Sequence, residues 1–345
     1  MKKFVIIDTP ALLHRAWHAI PPLKDKNGRV VNAVYGFTSI FLKAMNDLKP
    51  DYVALTFDRK EPTFRHKEFK EYKAQRVRQP QEFYDQFPLV KELAAAFGVP
   101  VFEMAGFEAD DLIGTLTDLA ERSSTFSDNP ASFVSPKVLE KGAGKDVESI
   151  VVTGDLDTLQ LVDGQTKVLS LKKGVTETVL YDETAVKERY GLRPDQLIDY
   201  KALRGDPSDN IPGVRGIGEK GAGELIKEFG SLEKIYNFIE SSKHGSIEAK
   251  KQKNKKTISD RIIKLLEEQK DAAILSKHLV TIVRDVPIEF NLKDCAFGNF
   301  DRPEIIRLFE EFGFKSLIKR LPSEATPESQ TSLFGTETTP NPSLP

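Results

Sequence analysis

Three short apolar runs each end in an aspartate: Phe4 to Ile7 before Asp8, Val53 to Phe57 before Asp58, and Ile150 to Val152 shortly before Asp155. Runs without polar alternation suit strands buried on both faces, and such strands pair in parallel. Between them lie stretches of helical spacing, namely Phe37, Ile40, Phe41, Ala44 and Leu48, then Leu89, Val90, Leu93 and Phe97 stopped by Gly98. Strand alternating with helix specifies an α/β fold with a mostly parallel central sheet flanked by helices. Ligands of such sheets sit outside the carboxyl ends of the strands, so the three aspartates should converge on one surface. Taken singly, each aspartate could equally cap the helix or turn that follows it.

A chain of 345 residues with 39% hydrophobic and 30% charged residues can build about two soluble domains. The formal net charge of −2 does not by itself announce a polyanionic partner. Cys295 is the only cysteine, which excludes an internal disulfide and a multi-cysteine zinc site and reads as a small buried hydrophobe. The opening MKKFVIID has too short an apolar run for a signal peptide or a membrane span, so a cytoplasmic protein is expected. Five scattered histidines and no GxSxG elbow leave nucleophilic-triad chemistry little support. Carboxylates are the abundant reactive group.

Residues 123–149 are rich in Ser, Pro, Gly and Lys and read as a surface insertion within an α/β domain spanning 1–182. A hairpin is expected over Val168 to Leu171 and Val175 to Leu180, with Gly191 and Gly230 as helix stops and Pro194 and Asp195 opening a helix. A helical region is expected over 183–321, followed by a polar tail at 322–345.

The acids recur in tight groups. Glu108, Asp110 and Asp111 open an apparent helix, Asp155 and Asp157 follow a strand end, and Asp206 and Asp209 sit in a loop bounded by Gly205 and Pro212. First-turn acids also suit a helix dipole, and Asp-Pro-Ser-Asp is ordinary turn chemistry. Brought together with Asp8 and Asp58, these nine carboxylates would repel unless they protonate or bind cations. An all-oxygen ligand set favours a hard ion such as Mg²⁺ or Mn²⁺, and a pair of such ions can hydrolyse a phosphodiester without histidine.

Residues 59–78 carry eight basic side chains against three acidic ones, with Phe64, Phe69 and Tyr72 interleaved. That combination suits a phosphate backbone and stacked bases, or an ordinary solvated helix face. The stretch Gly213, Val214, Arg215, Gly216, Ile217, Gly218, Glu219, Lys220 before an apolar-periodic helix reads as a helix-hairpin-helix spanning 213–229. Lys250 to Lys256 form a further basic run.

In combination, FDRKEPTFRHKEFKEYKAQR from Phe57, GFEADDLIGTL from Gly106, VVTGDLDTLQLV from Val151 and YKALRGDPSDNIPGVRGIGEKGAGELI from Tyr200 are specific. From about Lys3 to Leu321 the chain resembles the 5′-nuclease domain of bacterial DNA polymerase I and its flap-endonuclease relatives. The resemblance implies a PIN-like domain and a two-metal site formed by Asp8, Asp58, Glu108, Asp110, Asp111, Asp155, Asp157, Asp206 and Asp209, with Asp8 and Asp58 acting through bound water. It also implies an arch over about 59–87, in which Lys73 positions the reacting phosphate, Arg65 holds a neighbouring one and Arg76 contacts DNA. Ser208, Gly213, Val214, Gly216, Ile217, Gly218 and Lys220 would grip the duplex, with K⁺ at the helix-hairpin-helix. The implied substrate is branched or 5′-ended DNA, handled by a monomer.

Thr9 and Pro10 follow Asp8 where the family has glycine and a small polar residue, Leu156 replaces a commonly basic residue, and Gly221 stands where threonine is frequent. In the tail, Gln330, Leu333 and Phe334 form a QxxLF pattern like the peptide by which bacterial replication proteins bind the sliding clamp. Two rivals remain: a catalytically silent branched-DNA binding module, and a phosphohydrolase of small substrates.

Overall fold

The computed structural model describes residues 1–123, 147–174, 177–243 and 258–322. Most of the expected insertion, the Lys250 to Lys256 run and the tail with Gln330, Leu333 and Phe334 lie outside the described residues.

Six strands form one sheet in the order β3-β2-β1-β4-β5-β6. They are β1 Lys2–Asp8, β2 Tyr52–Thr56, β3 Val101–Phe102, β4 Val147–Thr153, β5 Thr166–Lys173 and β6 Glu177–Tyr181. The first five run parallel, and β6 returns antiparallel to β5 with Tyr181 opposite Val168, a hairpin of the kind expected, although Val175 of that expectation lies outside the described residues. Register makes the strand ends flush, since Asp8 sits beside Thr56 and Ile7 beside Val152. Strand β4 begins at Val147, so the last three residues assigned to an insertion are sheet.

In chain order the helices of the described residues are α1 Thr9–Ala19, α2 Asn32–Leu48, α3 Phe64–Glu68, α4 Gln81–Tyr84, α5 Phe87–Ala96, α6 Ala109–Ser123 and α7 Glu183–Tyr190. They continue with α8 Gln196–Arg204, α9 Glu219–Phe229, α10 Leu232–Lys243, α11 Asp260–Glu268, α12 Lys270–Val280, α13 Arg302–Glu311 and α14 Lys315–Ile318. Gly191 and Gly230 end α7 and α9 at positive φ, as their sequence positions predict. None of these helices is long and apolar enough to cross a membrane.

Side chains alternate across β1, so the sheet carries a core on each face. Val5 and Ile7 join α1, α2 and α5 in one core, while Phe4 and Ile6 join α6, α8, α9 and α10 in the other. Each fully buried Leu, Ile or Phe contributes about 1.5–3 kcal/mol. Cys295 is buried in the second core, as the sequence suggests, and burial pushes its thiol up to about 12.

Helices α13 and α14 continue the helical region to Ile318, and Ile305, Phe309, Phe312, Phe314 and Leu317 of these helices and their connection pack into the first core beside α2 and α5. One expectation needs correction: the basic stretch 59–78 is not a helix face. After the short α3 it runs in turns, and Tyr72, expected to offer a stacking ring, is buried.

Candidate active site

Strand ends bring the acids together. Asp8 closes β1, Asp58 follows β2, Asp155 follows β4, and Glu108 and Asp110 stand at the start of α6. These five carboxylates share a cleft of about 920 Å³ with Lys73 and Arg76 from the turn region and His14 from α1. Asp8 also caps α1, accepting from the Ala11 amide at 3.1 Å with Pro10 in the first turn. The unusual Thr9-Pro10 pair therefore leaves the carboxylate facing the cleft.

Burial pushes the Asp8 carboxyl up to about 6, even though the Thr153 hydroxyl at 2.5 Å and the Ala11 amide favour its ionised form. Asp155 rises to about 7 through desolvation and then the charge of Asp157. Desolvation likewise raises Asp58 and, with Asp111 and Glu108 nearby, lifts Asp110 well above the usual carboxylate range. Glu108 goes the other way: burial opposes its charge, but Lys73 at 2.9 Å and Arg65 hold it below its ordinary value. Burial also drives His14 down to about 4, with His18 and Arg76 adding to the effect, so its ring is neutral at pH 7.

The remaining acids lie beside the cleft, each on a cation. Lys201 of α8 bridges Asp157 and Asp206, the latter at 2.8 Å. Asp209 meets Arg76 at 2.5 Å and Lys73 at 3.7 Å, and the Tyr72 hydroxyl donates to Glu108 at 2.9 Å and Asp209 at 3.3 Å. Lys73 itself adopts φ 54°, a costly conformation outside glycine, with its amide bonded to the Asp209 carbonyl. Sequence reasoning missed Lys201 and misread Tyr72. A lysine five residues ahead of Asp206 on a helical pattern was the available signal for the first.

Arg65 and Asp111 occupy places different from those expected. Arg65 is 1% exposed and bonded on every nitrogen, so it has no free face for a phosphate. Asp111 is fully buried and lies outside the cleft lining.

The glycine-rich turn joins α8 to α9 as a helix-hairpin-helix requires. Gly213 has φ 60°, and a Cβ there would lie 2.3 Å from the Gly205 nitrogen, so this glycine lets backbone pass backbone. Its amide goes to the Ser276 hydroxyl and that of Val214 to the Leu203 carbonyl, while Val214 and Ile217 bury their side chains. Gly216, Gly218, Lys220 and, ahead of the turn, Ser208 are exposed, and the first-turn amides of α9 have no carbonyl one turn earlier.

Among the described residues, no three carboxylate, imidazole or thiol groups already surround one point as a closed ligand set. Lys73, Arg76 and Lys201 sit among the acids instead. The cleft nevertheless fits a divalent ion: its five carboxylates supply hard oxygen ligands, and desolvation raises four of them, a cost that a bound cation would offset.

Residues 3–128 match the 5′-3′ exonuclease N-terminal resolvase-like domain, and residues 192–303 match the 5′-3′ exonuclease C-terminal SAM fold. Relatives include the DNA polymerase I of Bacillus subtilis, 39% identical over 329 residues, covering 95% of this chain and 33% of the relative. That of Caldicellulosiruptor bescii is 40% identical over 321 residues, covering 92% and 33%. The chain thus spans about a third of the length of these relatives. In fold it is similar to the T5 5′-exonuclease with zinc bound, at TM-score 0.56, 21% identity and coverage of 81% and 89%. It is also similar to the catalytic core of Rad2 in complex with DNA substrate, at TM-score 0.55, 15% identity and 93% of each chain. With both of its folded parts matched by the two domains of one family, the chain belongs to the 5′-3′ exonuclease family of nucleases.

Proposed function

We propose that this chain is a structure-specific 5′ nuclease that hydrolyses phosphodiester bonds in branched or 5′-ended DNA using two divalent ions, Mg²⁺ or Mn²⁺. One observation carries the reading: five acids from four separate segments meet in a single cleft beside Lys73 and Arg76. Asp8, Asp58, Glu108, Asp110 and Asp155 would hold the ions directly or through water, with Asp157, Asp206 and Asp209 completing the second position. Bound there, the ions would activate water and neutralise charge on the phosphoryl group. Lys73 and Arg76 leave their carboxylate partners to bind the phosphates flanking the scissile bond. Neutral His14 would offer a hydrogen-bond acceptor on the cleft wall without adding charge. Beyond the cleft, the exposed turn at Gly216 to Lys220 presents backbone amides and an ammonium to duplex phosphates, and its carbonyls suit K⁺. The QxxLF pattern is a tether to the sliding clamp, which titration of a tail peptide against clamp checks.

A labelled 5′ flap incubated with Mg²⁺, with and without chelator, tests the main reading. Products mapping to the base of the flap, lost on chelation, are expected. No cleavage with Mg²⁺ or Mn²⁺ would favour the silent binding module, and hydrolysis of a small phosphate ester with intact flap would favour the phosphohydrolase.

A further inference from the structure

Asp111 stands next to Asp110 in sequence, yet the two side chains have opposite surroundings. Asp110 lines the cleft, whereas Asp111 is fully buried with both oxygens taken. Its Oδ2 accepts from Arg65 Nη1 at 2.7 Å and the Glu108 amide at 3.1 Å. Its Oδ1 accepts from Arg65 Nη2 at 2.8 Å and the Val283 amide at 2.9 Å. Each oxygen thus has two donors, which leaves no lone pair for a cation. Arg65 is equally engaged, giving Nε to the Leu279 carbonyl at 2.9 Å and Nη2 to the Thr281 carbonyl at 2.9 Å.

We infer that Asp111 is no metal ligand but forms with Arg65 a buried lock that positions the catalytic acids relative to the DNA-gripping helices. The lock joins three parts of the chain. Arg65 belongs to α3 at the base of the turns that carry Lys73. Asp111 lies in the first turn of α6, and its bond to the Glu108 amide sets the backbone between Glu108 and Asp110. Residues 279–283 form the end of α12 and the strap after it, and α12 packs on α8, the helix leading into the glycine turn. A bidentate guanidinium-carboxylate pair fixes angle as well as distance, which a lysine cannot reproduce. Arg65 and Asp111 are therefore positioning residues.

The inference rests on the metal-dependent reading above, and the experiment separates the two. Asp111→Asn, Arg65→Lys and the reference Asp110→Asn are made in the full chain. Each is followed by thermal melting, calorimetric Mn²⁺ titration and single-turnover cleavage of a flap at saturating DNA. In Asp111→Asn and Arg65→Lys the Mn²⁺ dissociation constant should change less than about threefold, whereas Asp110→Asn should raise it at least about tenfold. The single-turnover rate of both lock variants should fall by about a hundredfold with DNA affinity unchanged, because acids displaced by a fraction of an ångström still bind metal but misalign the reaction. A loss of Mn²⁺ affinity in Asp111→Asn equal to that in Asp110→Asn overturns the inference, as does a wild-type rate in both lock variants. If Asp111→Asn does not fold, Arg65→Lys decides by the same two readouts. Failure of the wild-type chain to bind Mn²⁺ would sink the functional reading instead.

Discussion

At the scale of single residues, the cleft stores a conflict that metal would relieve. The folded-state Asp8 carboxyl is raised from 3.8 to about 6, so between those values the folded chain holds a proton that the unfolded chain has lost. Stability present at acid pH is then lost as pH rises through the folded value. In chelator, Asp8→Asn should match wild type near pH 4 and exceed it by roughly 2–3 kcal/mol at pH 8, since one unit is worth about 1.4 kcal/mol. Chemical denaturation at both pH values checks this, and equal stabilities at pH 8 would contradict it. Metal affinity should rise over the same window, because binding displaces those protons. Little of this was readable beforehand: a strand ending in aspartate shows where a carboxylate stands, but not whether a cation such as Lys201 already neutralises its neighbours.

At the scale of elements, close approach decides more than propensity does. Gly114 lies inside α6, where replacing glycine by alanine ordinarily gains about 1 kcal/mol. Here a Cβ would meet Ile282 Cγ2 at 2.8 Å and the Val283 carbonyl at 2.9 Å, so the strap cannot stay against the helix. Overpacking of this kind costs about 1–3 kcal/mol, so Gly114→Ala should lower the melting temperature. It should also slow cleavage, because the Val283 amide that bonds Asp111 moves with the strap. A melting temperature at or above wild type would show that the strap yields freely. Elements with strong periodicity, such as α2, α5 and the long strands, were legible in sequence, whereas the two-residue β3 carries no pattern to detect. The stretch 59–78 misled because its charges and aromatics suit a solvated face, while Tyr72 and Arg65 turn inward to partners 36 to 46 residues away.

At the scale of the whole molecule, the chain closes on itself. After the strap, Phe297 bonds back to Asp51 and α13 and α14 seat Phe309, Phe312 and Phe314 in the core that begins at β1. A division into successive domains by sequence position could not foresee this, because aromatic residues show that a segment is buried but not against which face. Removing everything after Leu321 should leave the melting temperature unchanged within about 2 °C, whereas ending the chain at Phe300 should expose the core and unfold or aggregate it. Circular dichroism melts of the two truncations check this; a cooperative, wild-type melt of the shorter one would disprove it.

Helix α8 reaches the acids through Lys201 at one point and runs out into the glycine turn at its end. Lys201 stands three residues before the helix ends at Arg204, a rise of only about 4.5 Å. If duplex DNA is held at that turn, the interval between the held backbone and the cut bond is set by a stiff rod rather than a hinge. The molecule would measure its product with a helix, and the cutting position would be as uniform as that rod is straight.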